Sequence, residues 1–200
     1  MPRRSLLATL SVSLVGLVAV VANAAPVETG ASRCKARGYL KDTDPKGTNI
    51  RSAPRADAPV IGHLAPLINI GSDTWTGVEF EIVGSRDGWL LVQNGKPETG
   101  FKLDAAHAAD GRGWVSGRLV GVTLASRPLR AAPRRDAAVV ALLSGDNWGP
   151  DSVGVSIVHA CQGEYVEVTG TPIGGKPVRG WSRSPCASQL TTCDRSDQDD

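Results

Sequence analysis

The sequence predicts an all-β protein that contains two small antiparallel barrels of about five strands each. Residues 78–83 read Val-Glu-Phe-Glu-Ile-Val, an alternation of apolar and polar residues that is typical of a strand with one buried face. The 200 residues include 23 glycines and 13 prolines, which interrupt the apolar stretches at short intervals and indicate many turns. No sequence segment has a sustained helical period, and the one helical candidate, residues 104–110, is short.

An internal repeat divides the chain into two parts. Residues 49–64 read NIRSAPRADAPVIGHL, and residues 128–143, which begin 79 positions later, read PLRAAPRRDAAVVALL. Four further blocks recur in the same order with changed spacing: 73–75 as 146–148, 78–85 as 153–160, 87–92 as 163–168, and 112–116 as 179–183. This repeat predicts two homologous domains, at residues 39–124 and 125–193, and the first is expected to fold without the rest.

Residues 1–24 have the layout of a secretory signal peptide. Two arginines open the segment, an apolar stretch follows, and Ala22-Asn23-Ala24 forms an A-x-A cleavage pattern. The alternative is a membrane anchor, but the apolar stretch is slightly short for a span, and its small-residue exit favours cleavage. Residues 25–38 then form the N-terminal segment of an exported chain. We expect that chain to be periplasmic or secreted, with no stable membrane insertion after cleavage.

The charge balance of the mature chain is neutral. The whole sequence has 22 lysines and arginines against 20 aspartates and glutamates, and removing the signal peptide with its two arginines leaves 20 of each. A nucleic-acid-binding surface needs concentrated positive charge, so no nucleic acid partner is expected. Glu79 and Glu81 share one face of a predicted strand, where a solvated outer face is favoured over a cation site. Residues 194–200 form an acidic tail that is expected to be disordered.

The four cysteines of the chain are expected to form disulfides, because an even number in an exported protein favours pairing. We predict Cys161–Cys186 within the second repeat and Cys34–Cys193 between the two ends of the chain. The alternative is a local bond between Cys186 and Cys193. No C-x-x-C pair is present and the three histidines are scattered, so no metal site and no cofactor are predicted.

A catalytic role would need a nucleophile, a base and a group that orients them. His159 and Cys161 lie two residues apart on one predicted strand and face the same side. A neutral histidine beside a disulfide is favoured over a catalytic pair, because spacing alone is weak support and no cysteine is left unpaired by count. His63 and His107 are expected to face solvent. The sequence therefore predicts no catalytic residues and no enzyme.

Five segments of the first repeat, taken in chain order, can be compared with a family pattern: NIRSAP, VIGHL, VEFEIVG, DGWLLV and GRGWVSGRLV. The series resembles the bacterial SH3-like (SH3b) domain family, which opens on N-[VI]-R-x-x-P and closes on G-W-V. The second repeat departs from the family pattern at Pro128, Tyr165 and Ser182. The resemblance implies two SH3-like barrels in tandem. Exported members of that family often bind peptidoglycan or its peptide stems, or act as protein-interaction modules, and are frequently attached to cell-wall hydrolases.

Aromatic rings are the best candidates for ligand binding, because they offer broad flat contacts in a chain with only 4% aromatic residues. Trp75 and Trp148 occupy equivalent places in a long loop of each repeat, while Trp89 and Tyr165 lie near the start of equivalent strands. By resemblance, this loop and this strand start flank the ligand groove of the fold. Trp114 and Trp181, which follow glycine in the closing G-W pairs, are expected to be at least half-buried structural rings.

These features lead to one functional hypothesis and one alternative. The first is an exported, non-catalytic SH3-like binding module of the cell envelope, with peptidoglycan or an envelope protein as its ligand. The alternative is an accessory or inhibitory subunit that regulates a cell-wall hydrolase.

Overall fold

The computed structural model describes residues 28–29, 32–95, 100–143, 145–146, 149–150, 154–172, 175–191 and 193. The predicted signal peptide, the acidic tail and Trp148 lie outside the described residues. The all-β prediction is confirmed, since the described part of the chain forms antiparallel sheets and contains no α-helix. A helix long and apolar enough to cross a membrane is accordingly not found among these residues.

The first part of the chain forms an eight-stranded sheet and a small hairpin, β4–β5. The strands are β1 (Ser32–Leu40), β2 (Thr48–Arg51), β3 (Val60–Leu64), β4 (Ile68–Asn69), β5 (Trp75–Thr76), β6 (Glu79–Arg86), β7 (Trp89–Asn94), β8 (Phe101–Leu103), β9 (Arg112–Ser116) and β10 (Val120–Gly121). Neighbouring strands of the sheet follow the order β10-β1-β6-β7-β9-β2-β3-β8. Strands β1, β8 and β10 are additional to the five predicted, and the predicted boundary at residue 39 lies inside β1.

The second part of the chain forms a five-stranded sheet and another small hairpin, β13–β14. Its strands are β11 (Pro128–Arg130), β12 (Val139–Leu142), β13 (Gly145–Asp146), β14 (Gly149–Pro150), β15 (Gly154–Gln162), β16 (Tyr165–Thr171) and β17 (Val178–Arg183). Read from β15, the sheet order is β15-β16-β17-β11-β12. The first sheet contains the corresponding order β6-β7-β9-β2-β3, with each strand in the equivalent place of the repeat.

The turn after β2 recurs after β11 with the same hydrogen bonds. Arg51 Nη1 donates to the Ala58 carbonyl at 2.8 Å, and Arg130 Nη1 donates to the Ala137 carbonyl at 2.9 Å. Both arginines lie at a register shift of their hairpin, and each pairs across the sheet with a tryptophan, Arg51 with Trp114 and Arg130 with Trp181. Residues 79 positions apart therefore build the same turn in the two sheets.

One hydrophobic core joins the two sheets. It contains Trp114, Phe80 and Leu90 from the first part of the chain and Leu129 and Val166 from the second, all with 1% exposure or less. Burial on this scale is the main favourable term in folding, at about 25 cal/mol per Å² of apolar surface. The two sheets therefore stabilise each other.

Hydrogen bonds at the same interface fix how β15 meets the first sheet. The Val158 amide donates to the Gly117 carbonyl at 3.0 Å, and Lys41 Nζ donates to the Val155 carbonyl at 2.8 Å. The buried Ser85 hydroxyl accepts from the amide of Cys161 at 2.9 Å. These bonds satisfy backbone groups that the packing of the two sheets removes from water.

The predicted cysteine pairing is wrong. The disulfides are Cys34–Cys161 and Cys186–Cys193, so the local bond given as the alternative is the one that forms. The physical reason lies in β1, which reaches the turn after β15, where the Lys35 amide donates to the Gly163 carbonyl at 2.7 Å. Disulfides of this kind persist in oxidising compartments outside the cytoplasm.

The helical candidate at residues 104–110 forms two successive turns instead. The His107 amide donates to the Asp104 carbonyl at 2.9 Å, and the Asp110 amide donates to the His107 carbonyl at 3.0 Å. His107 is 8% exposed, so the expectation that it faces solvent is wrong. The turns pack the histidine inward because β8, which leads into them, runs along the edge of β3.

Candidate binding surface

The β4–β5 hairpin carries the most exposed apolar side chains of the first part of the chain. Ile68, Ile70 and Trp75 are 60%, 49% and 56% exposed. Scattered apolar residues on a surface need no explanation, but three on one short hairpin form a patch of the kind that marks interaction sites. The patch lies on a loop held by a rigid sheet, which is where binding residues are commonly found.

The register of this hairpin separates its apolar residues onto two faces. Asn69 pairs with Trp75 and Ile68 pairs with Thr76, while the Ile70 amide donates to the Thr74 carbonyl. Because side chains alternate across a strand, Ile68, Ile70 and Thr76 share one face and Trp75 lies on the other. The predicted ligand residue Trp75 is exposed, as a binding ring must be, but it lies on the opposite face of the hairpin from Ile68 and Ile70, which line a neighbouring groove.

That groove, which we call the apolar groove, lies between the hairpin and the C-terminal loop, residues 186–193. Its volume is about 720 Å³. Its lining includes Ile68, Ile70, Thr76, Val78, Gln189 and Leu190. Leu190 is 62% exposed and supplies the apolar wall opposite the two isoleucines. The groove is thus open to solvent and has aliphatic side chains from both the hairpin and the loop, while Glu79, Ser188 and Thr191 add polar groups to its lining.

The C-terminal loop is held in place by three kinds of contact. Gln189 Nε2 donates to the Gly77 carbonyl at 2.9 Å, and Gln189 Oε1 accepts from the Gly77 amide at 2.7 Å. The backbones of Thr123 and Cys186 exchange two hydrogen bonds of 3.0 Å. The Cys186–Cys193 disulfide closes the loop. A loop fixed at both ends and in the middle presents Leu190 without further ordering cost, which favours binding.

Gly77, the partner of Gln189, has no room for a side chain. A Cβ atom there would lie 1.8 Å from the Leu40 carbonyl oxygen, which belongs to the backbone of β1. Only glycine lets the chain pass this close to a neighbouring strand. The hairpin is therefore anchored to the sheet at the residue that also anchors the C-terminal loop.

Trp89, the second predicted ligand residue, lies away from Trp75. The strand β6 separates them, and its eight residues span roughly 25 Å. Trp89 is half-buried beside Asp42, Thr48 and Arg51 in a small polar depression that shares no lining residue with the apolar groove. The structure therefore does not bring Trp75 and Trp89 to one site.

The remaining predicted rings are structural where the structure describes them. Tyr165 is 8% exposed at the start of β16, so its ring lies in the interior and is not available at a groove edge. Trp114 is fully buried, and its Nε1 donates to the Glu28 carbonyl at 2.9 Å, as a structural ring should. Trp181 is half-buried on β17.

The histidines and acids considered for chemistry are held by ordinary contacts. All four cysteines are in disulfides. The Nε2 atom of His159 lies 2.7 Å from the Thr169 hydroxyl oxygen. Burial, and to a lesser degree the positive charge of Arg179, lowers the pKa of His159. Glu81 accepts from Gln93 Nε2 at 2.6 Å on the outer face of β6. Within the described residues, no three potential metal ligands cluster.

Comparisons of the chain with protein-family models, with curated proteins and with solved structures found no match. The site must therefore be interpreted from its own geometry. That geometry includes residues that the sequence reasoning missed, namely Ile68, Ile70, Gln189 and Leu190. The pattern Ile-Asn-Ile at 68–70, bounded by Pro66 and Gly71, was a signal for a short exposed strand.

Proposed function

We propose that this protein is an exported, non-catalytic binding module of the cell envelope, built from two SH3-like units, that holds its partner at the apolar groove and the adjoining β4–β5 hairpin. The observation that carries the proposal is a solvent-exposed apolar surface on a scaffold closed by two disulfides. A contiguous patch of large exposed apolar side chains marks an interaction site more often than scattered residues do.

The recurrence of one strand order supports the assignment of two SH3-like units. Strands β6, β7, β9, β2 and β3 follow the same order in their sheet as β15, β16, β17, β11 and β12. The arginine-centred turn recurs with them. Small antiparallel sheets of about five strands, joined by short turns, are what the resemblance to the SH3b family implies. The fold itself leaves the function open, because such scaffolds serve many roles.

The chemistry of the groove favours an envelope protein over peptidoglycan as the ligand. Ile68, Ile70 and Leu190 offer aliphatic walls, whereas sugars are usually recognised by aromatic planes together with convergent polar groups. The exposed Trp75 on the other face of the hairpin adds a second contact for a partner large enough to surround it. If that partner is a cell-wall hydrolase, the alternative role of an accessory or inhibitory subunit becomes a special case of the same binding.

A paired capture experiment tests the proposal. The oxidised mature chain is immobilised and incubated separately with purified cell-wall sacculi and with a detergent extract of envelope proteins from the source organism. We expect a discrete protein to be retained from the extract and no retention of sacculi. Ile68→Asp should abolish capture because it places a charge in the groove wall. Val60→Asp, at a valine of similar exposure (47%) on β3, is the matched control and should leave capture unchanged.

Two results would contradict the proposal. Retention of sacculi by the wild type and by Ile68→Asp alike would identify peptidoglycan as the ligand and place it elsewhere on the surface. Equal capture of the same protein by both aspartate variants would remove the groove from the interface.

A further inference from the structure

The two repeats differ at one edge of their sheets. In the first sheet, the outer edge of β3 is covered by β8, with Gly62 paired to Leu103, His63 to Lys102 and Leu64 to Phe101. In the second sheet, the equivalent strand is β12, which ends the strand order. Among the described residues, none pairs with its outer edge.

Among the described residues, the absence of a strand equivalent to β8 follows from the length of one connection. The chain between β7 and β9 has 17 residues, and it contains β8. The corresponding chain between β16 and β17 has six residues, 172–177. At about 3.3 Å per residue, six residues cannot cross from β16 to β17 and also run along β12 on the far side of β11.

Side chains along β12 are exposed as a result. Val140 occupies the place of Ile61 in the first repeat, and the exposed fraction is 49% for Val140 against 1% for Ile61. Leu142, which occupies the place of His63, is 64% exposed. Val139 is also exposed, at 51%, but its equivalent Val60 on the covered strand β3 is 47% exposed, so the contrast between the repeats lies at Val140. An unpaired apolar edge strand is a hazard for aggregation, and natural proteins normally cover or charge such edges.

Backbone hydrogen-bonding groups also point outward from this edge. The Leu143 amide donates to the Arg127 carbonyl at 2.9 Å, so Leu143 faces into its own sheet. Because successive residues of an antiparallel strand turn their N–H and C=O groups to alternate sides, those of Leu142 point to the open edge. The first repeat has the same geometry, since the Ile61 carbonyl accepts from the Asp104 amide and the Ala65 amide donates to the Gly100 carbonyl.

We propose that the open edge of β12 is a second binding site, which takes an extended segment of a partner protein as an added antiparallel strand. The strand β8 shows what such an edge accepts, because Phe101 and Leu103 supply apolar side chains at alternate positions. If a partner strand lay on β12 as β8 lies on β3, its residue equivalent to Phe101 would lie beside Leu143 and its residue equivalent to Leu103 beside Ala141. Together these two side chains would cover Val140. The residue between them lies opposite Leu142, so an apolar residue there is favoured over the lysine of β8.

This second site stands apart from the apolar groove and does not rest on the proposed function. A second copy of this chain, paired through β12 of each molecule, is the competing occupant. The first repeat favours a partner segment over a second copy. There, the edge of β3 is covered by β8, whose sequence differs from that of β3, rather than by a strand like β3 itself.

The test uses a synthetic peptide with the sequence of residues 98–105, Glu-Thr-Gly-Phe-Lys-Leu-Asp-Ala, as the probe. Its binding to the oxidised mature chain is measured by fluorescence anisotropy, together with a version in which lysine is replaced by valine. Leu142→Pro removes the outward N–H, which an edge strand tolerates, and should weaken binding by at least about tenfold. Leu142→Thr keeps the N–H and should weaken it by about threefold. Val60→Thr, at the equivalent of Val139 on the covered strand β3, should have no effect.

The hydrogen-exchange rate of the Leu142 amide in the wild type is a second measurement, which does not depend on whether the proline variant folds. We expect the Leu142 amide to exchange more slowly when the peptide is present, and the valine peptide to bind more tightly than the lysine peptide. Sedimentation velocity is run on the same samples. Dimers of the free chain that Leu142→Pro dissolves would assign the edge to a second copy and overturn the proposal. So would a peptide that leaves the Leu142 amide exchange unchanged.

Discussion

Two tryptophans of the same repeat have opposite environments, and substitutions should separate them. Trp114 is fully buried, whereas Trp75 is 56% exposed. Trp114→Ala should lower the free energy of unfolding by about 3–5 kcal/mol, because it leaves a large cavity in the core. Trp75→Ala should change it by less than about 0.5 kcal/mol. Urea denaturation of the two variants checks this contrast, and an equal loss for both would contradict the assignment of Trp75 to the surface.

The pKa of His159 gives a pH dependence whose sign can be worked out. Burial lowers this pKa, so the folded chain binds the proton more weakly than the unfolded chain does. The stabilising contribution of the neutral ring is therefore complete above the ordinary histidine pKa of about 6.5 and is lost as the pH falls through the lower folded value. His159→Asn should flatten the stability profile between about pH 7.5 and about pH 5. Parallel profiles for variant and wild type, from urea midpoints across this range, would contradict the expectation.

At the scale of elements, the two disulfides close loops of very different length. Cys34–Cys161 joins residues 127 positions apart and Cys186–Cys193 joins residues seven apart. Loop-closure entropy alone then gives about 5 kcal/mol for the first and about 2.5 kcal/mol for the second. The double variant Cys34→Ser/Cys161→Ser should therefore melt well below Cys186→Ser/Cys193→Ser. If the proposed function holds, opening the shorter bond should instead weaken capture of the partner, because that bond closes the loop that carries Leu190.

Peptide mapping under non-reducing conditions is the control for this comparison. The expected products are one peptide pair linked through Cys34 and Cys161 and one linked through Cys186 and Cys193. A product that joins Cys161 to Cys186 would restore the pairing expected from the sequence and would remove the basis for comparing the two loops.

Elements with a clear local pattern could be predicted, and elements that depend on distant contacts could not. The alternation at residues 78–83 gave β6, in which Phe80 and Ile82 are buried and Glu79 and Glu81 lie outward, as expected. The repeat at residue 128 located β11 and β12. No local pattern revealed that β1 would pair with β6 or that Gln189 would bond to Gly77, since each joins residues far apart in the chain. The pairing of Cys34 with Cys161, which are 127 positions apart, was missed for the same reason.

The candidate site was only partly within reach of the sequence. Trp75 could be recognised because its ring is conspicuous in a chain with few aromatics, and it is exposed on the hairpin where a ligand could reach it. Ile68 and Leu190 could not be placed in one groove, because only the docking of the C-terminal loop brings them together. Rings at strand starts carried no such information, as the buried Tyr165 illustrates.

At the scale of the whole molecule, the shared core predicts that the two parts of the chain unfold together. A fragment of residues 39–124 lacks most of β1, which pairs with β6 along the first sheet, and it exposes the face that β15 covers. Contrary to the expectation from the repeat alone, we expect this fragment to show no cooperative thermal transition by circular dichroism, while the oxidised chain of residues 25–200 shows a single one. A cooperative melt of the fragment would mean that the first sheet has a sufficient core of its own.

The central claim is that the apolar groove holds a protein of the cell envelope, and site-specific photo-crosslinking in intact cells tests it most directly. A photoreactive amino acid is placed at residue 68 in the groove wall or at residue 60 on β3, both of them exposed positions. The groove position should give one discrete crosslinked product with an envelope protein, and the β3 position should not give it. The same product from both positions, or none from residue 68, would contradict the claim.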